Sequence, residues 1–120
     1  MLKQINIHNK GEVVILTVGD CKVDIIGGFY VQLGDFLIML KNLKTLEIKK
    51  FRRVCIKVKS WHLFNQRSIR IFNIDIMEPG EYLIEFIKPE QVLIKRSRLP
   101  ILNLLKEPIN NKNLEIGLIN

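Results

Sequence analysis

Ten lysines and arginines fall between residues 41 and 70, against the single acid Glu47. That segment therefore carries about +9 in a chain whose net charge is +7, leaving about −2 for the remainder. Lys49, Arg53, Lys57 and Lys59 share one parity, so in a strand hairpin they would stand on one face. Trp61, His62 and Phe64 follow, and then Arg67 and Arg70. A basic strand face beside aromatic rings is the arrangement that holds single-stranded nucleic acid, by phosphate contact and base stacking. Lys49, Arg53, Lys57, Lys59, Trp61, Arg67 and Arg70 are accordingly the candidate polyanion-binding residues. The same residues suit a plainer role. Lysine and arginine line the wet face of any sheet and blunt exposed edges, and Trp and Phe serve cores and subunit contacts. Lys95, Arg96 and Arg98 around Ser97 form a smaller basic group with the same two readings.

Other chemistry has less to stand on. His8 and His62 are the only histidines, Cys21 and Cys55 have no second ligand at metal spacing, and Ser60 and Ser68 sit in no nucleophile elbow. The aspartates Asp20, Asp24, Asp35 and Asp75 are scattered. Glu81 and Glu85 fall on one face of a single strand and are expected to balance nearby lysines rather than act as an acid and base pair. No catalytic residue, cofactor or metal is expected, and the chain is not read as an enzyme. The two cysteines are expected to be buried thiols in a reducing compartment.

The elements that would position these residues are strands. Ile, Leu and Val supply 43 of the 120 residues and Ala is absent, a balance that favours pleated structure over helix. Residues 2 to 7 and 12 to 18 read as a first strand pair joined across Asn9, Lys10 and Gly11. The second of these, apolar on both faces, is expected in the middle of a sheet. CKVDII and FYVQL come next as strands. Residues 35 to 43 are expected to form a short helix capped by Asp35, or an irregular crossover, although Phe36, Ile38 and Leu40 also alternate as a strand would. Thr45 to Lys50 is expected to pair with Arg53 to Ser60 as a basic hairpin, with WHLFNQ as a loop.

Arg67 to Leu99 reads as three consecutive antiparallel strands with turns at Glu78–Glu81 and Lys88–Glu90. The apolar parity changes within the first of them, because Ile69 and Ile71 share one parity while Phe72, Ile74 and Ile76 share the other. A β-bulge or bend near Ile71 is predicted. Pro100 interrupts the pattern beyond the third strand, so residues 101 to 106 are read as an edge, a turn of helix or coil, and Leu114 to Ile119 forms the last strand. Short strands at this spacing predict a single all-β domain over residues 1 to 120, an antiparallel β-sandwich of jelly-roll-like outline or a small barrel.

Such a chain is apolar for its size, which points to a thick core or to a surface covered by another subunit. The expectation is a small binding or assembly module that acts through its sheet surface as a homo-oligomer. A nucleic-acid or anionic-surface binder using residues 41 to 70 is the alternative, and a carbohydrate-binding module the second alternative. No apolar run is long enough for a membrane helix, and the polar N-terminus does not resemble a signal peptide. A cytoplasmic location is the resulting expectation.

Overall fold

The computed structural model describes residues 2–27, 30–54, 60–63, 66–95 and 111–120. In most of the strands every second side chain is apolar and buried, the short segments Ile48–Lys50 and Arg52–Arg53 being exposed throughout. The elements are β1 (Leu2–Asn6), β2 (Glu12–Leu16), β3 (Gly19–Ile26), β4 (Tyr30–Gln32), β5 (Leu37–Asn42), β6 (Ile48–Lys50), β7 (Arg52–Arg53), β8 (Ser60–Leu63), β9 (Gln66–Ile76), β10 (Gly80–Ile87), β11 (Leu93–Lys95) and β12 (Glu115–Ile119). Every pairing among them is antiparallel. A six-stranded sheet runs β1-β12-β3-β9-β7, with β8 also on β9, and a four-stranded sheet runs β2-β10-β5-β6. A two-stranded ribbon of β4 and β11 completes the all-β fold.

The inner parities of both large sheets meet in one core. Ile5, Val23, Phe72, Ile116 and Leu118 come from the first sheet, and Val14, Leu16, Ile38, Leu40 and Ile84 from the second. Phe36 joins them, its ring 5.9 Å from Phe72 and stacked 6.2 Å from Phe86. Burying each large aliphatic side chain contributes about 1.5–3 kcal/mol, so this layer dominates stability.

The predicted bulge is present. Val23 pairs with Phe72 and Asp24 with Arg70, so Ile71 is the extra residue on β9. It lets Ile69, Ile71, Phe72, Ile74 and Ile76 all be buried across the parity change. β3, β4 and β12 also lie where the alternation places them.

Several strand partners differ from the sequence expectation. β1 and β2 do not pair with each other. β1 lies against β12 and β2 against β10, so the turn at Asn9 and Gly11 crosses between sheets. β2 is an edge strand rather than a central one, with Val13 48% and Ile15 67% exposed on its outer side. β9, β10 and β11 are consecutive but belong to three different sheets.

The basic hairpin is likewise replaced by a crossing. β6 pairs with β5, while β7 pairs with β9, and the buried Phe51 between them carries the chain from one sheet to the other. The expected WHLFNQ loop is strand where it is described, since Ser60–Leu63 is β8 and Gln66 begins β9. Alternation decides which side chains face inward, and it is satisfied equally well by a neighbour in sequence or by a distant strand.

Residues 35 to 43 contain no helix. β5 shows strict alternation, with Ile38, Leu40 and Asn42 buried, because β10 and β6 satisfy its backbone from both sides. Asp35 is not a cap: its amide donates to the Gln91 side chain at 2.6 Å. Asn42 ends β5 by accepting from the amides of Lys44 and Thr45, and Leu46 closes the turn in the left-handed region at φ 64°. The region after Pro100 lies outside the described residues up to residue 110.

Candidate functional site

Among the described residues, the candidates Lys49, Arg53 and Arg70 are engaged at different places. Lys49 lies on β6 of the four-stranded sheet, exposed at its edge, opposite Leu40. With Lys50, Arg52 of β7, Ile74 and Asp75 it lines an open groove of about 310 Å³. Asp75 is ion-paired with Arg52 at 3.4 Å in a well-exposed contact, so the groove holds three cations and one acid. An exposed pair of this kind contributes about 0–1 kcal/mol.

Arg53 turns the other way. Its guanidinium donates to the main-chain carbonyls of Gly34 and Phe36, tying the segment before β5 to β7. Arg70 is held by Asp24, with Nε 3.0 Å from one carboxylate oxygen and a terminal nitrogen 3.5 Å from the other. The Asp24 side chain is fully buried, so the guanidinium compensates a carboxylate that has lost its water. Trp61 and Arg67 lie on adjacent strands β8 and β9, where Trp61 is opposite Ser68 and His62 opposite Arg67. Lys57 and Lys59 fall outside the described residues, as do Cys55, Phe64 and the smaller basic group's Arg96 and Arg98. Of the candidates, the fold brings Lys49 beside Lys50 and Arg52 and assigns Arg53 and Arg70 to internal contacts.

Cys21 sits in the core opposite Ile74, and burial pushes its thiol up to about 12. A thiol so raised stays protonated and makes a poor nucleophile. Among the described residues no group of three or more His, Cys, Asp or Glu side chains could hold a metal ion. No helix among them is long and apolar enough to cross a membrane.

A second surface emerges from the register of the four-stranded sheet. Its outward side chains line up in rows: Ile15 beside Glu81, then Val13, Leu83, Lys41 and Ile48, then Glu85, Met39 and Lys50, then Ile87 and Leu37. Leu43, whose amide donates to the Glu81 carbonyl, extends the first row. Ile15 is 67% and Ile48 57% exposed. The face is thus largely apolar, crossed by a few charges, and both parities of β2 and β5 are hydrophobic. Alternation hides this signal in the sequence, because an apolar residue on the second parity reads as a doubly buried strand. The runs EVVIL and FLIML, apolar on both parities, and the Ile48 position are its trace there.

No protein-family model matches the chain, and neither a curated protein nor a solved structure shows significant similarity to it.

Proposed function

We propose that this protein is a non-enzymatic β-sandwich module that assembles with further copies of itself through the outer face of β2, β10, β5 and β6. The observation that carries the reading is the exposure of Val13, Ile15 and Ile48 on one sheet face beside Leu83, Met39 and Leu37. A contiguous apolar surface of that kind on a small protein marks an interaction site, because leaving it wet forgoes the burial that stabilises folded chains. Homo-oligomers are the commonest way to cover one. Light scattering from low to high micromolar concentration tests the reading: a mass that rises above that of one chain supports it, and a strict monomer throughout rejects it.

A second reading rests on the groove of Lys49, Lys50 and Arg52. Two cations in excess of Asp75 would attract a phosphate-bearing polymer, with affinity that falls steeply as salt rises. Fluorescence anisotropy of a labelled oligonucleotide at two salt concentrations tests it, and salt-independent or absent binding rejects it.

A further inference from the structure

Four charges interrupt the apolar outer face, and they are segregated by strand. Lys41 lies on β5 and Lys50 on β6, whereas Glu81 and Glu85 lie on β10. None of the four is ion-paired among the described residues, where the salt bridges are Lys3 with Glu12, Arg52 with Asp75, Arg70 with Asp24 and Lys88 with Asp35. Lys41 is flanked instead by Leu83 on one side and Ile48 on the other. Glu81 and Glu85 of its own chain lie only at the diagonal positions and pair with it in no salt bridge, so a half-buried lysine between two aliphatic side chains gains from any surface that brings a carboxylate over it.

The face's own twofold image is such a surface. From the assembly reading we infer that a second copy of this chain packs face to face on it, about a twofold axis parallel to the strands between β10 and β5. The axis lays β5 of one copy over β10 of the other, in the aligned manner of two packed sheets. Lys41 then stands over the level of the partner copy's Leu83, between Glu81 and Glu85 of that copy, each about 7 Å away along the strand. Facing sheets lie about 10 Å apart, within reach of a lysine meeting a glutamate. Symmetry makes the contact twice, and the apolar residues Val13, Leu83, Met39 and Ile48 close around it. A twofold axis perpendicular to the strands would instead set β5 on β5 and lysine against lysine. The segregation of charge therefore selects the arrangement as well as the partner. Four short strands make an interface at the small end of the usual range, so the association is reversible and weak.

Charge reversal with sedimentation velocity tests the inference. Lys41→Glu alone, and Glu81→Lys with Glu85→Lys, each set like charges against one another and should weaken dimerisation at least about ten-fold. Mixing these two variants, or combining all three substitutions in one chain, should restore it, while unchanged thermal melts show that each variant folds. Failure of both restorations, or undiminished dimerisation of the single-sign variants, overturns this arrangement and leaves assembly by another route, such as pairing along β2, an edge strand among the described residues. A wild-type chain that stays monomeric overturns the arrangement together with the assembly reading.

Discussion

Across the outside of the six-stranded sheet one row of facing residues reads Leu2, Ile119, Lys22, Asn73 and Arg52. Across the outside of the four-stranded sheet the corresponding row reads Val13, Leu83, Lys41 and Ile48. Both rows sit on the back of strands whose inner residues fill the same core. The neighbouring rows sharpen the contrast, with Asp20 beside Asp75 and Gln4 in line with Gly117 and Asp24 on the first sheet. On the second sheet they hold Ile15, Met39, Leu37 and Ile87, interrupted by Glu81, Glu85 and Lys50. A sheet needs only one apolar face to fold. The second apolar face therefore needs a reason outside the monomer, whereas the polar one is served by water and, at the buried Asp24, by the Arg70 guanidinium.

The largest effect available belongs to the polar face, at its one buried charge among the described residues. Arg70→Ala leaves the Asp24 carboxylate uncompensated and should lower stability in urea denaturation by about 3–5 kcal/mol. A loss below about 1 kcal/mol would show that Asp24 is served by other partners and that the polar face contributes little to folding. Beneath the same sheet, Cys21 links stability to pH. Its folded-state value is raised, so its contribution is intact below the ordinary thiol value and is lost as pH rises through and above it. By about pH 10.5 the wild type should have lost about 2 kcal/mol more than Cys21→Val does over the same range, in parallel denaturation curves.

The apolar face should respond in the opposite way. Ile15→Lys, at an exposed position, should change monomer stability by no more than about 0.5 kcal/mol yet abolish self-association in light scattering. Equal losses of stability and association would make Ile15 a folding residue and erase the contrast between the faces. The smallest effect is the control on the other side. Lys22→Glu should leave both dimerisation and melting within error of the wild type, since it lies on the polar face beside Asn73.

Much of this architecture is legible in the chain. The strand content, the irregularity at Ile71 and the C-terminal ends of β3 and β12 follow from parity, because a strand with one buried side announces which residues face inward. Glu81 and Glu85 do share a face, as their spacing requires, but among the described residues no lysine pairs with either. The basic segment is legible as charge and misleading as geometry. Parity assigns its residues to one hairpin, whereas Phe51 divides them between two sheets, and Asp24 and the carbonyls before β5 engage two of the arginines. Charge density is additive along a sequence, but direction is not, and a single crossing sends neighbours to different sheets.

Alternating apolar residues by themselves determined that this chain is β structure, which side chains form its core, and where β9 must bend. Only the tertiary structure decided which strands became partners, and with that which second parity of β2 and β5 was left facing outward. The reason is that burial on one face is a local property, satisfied wherever a strand lies. Which strand covers its edge, and whether anything covers its other face, depends on residues far away in the chain.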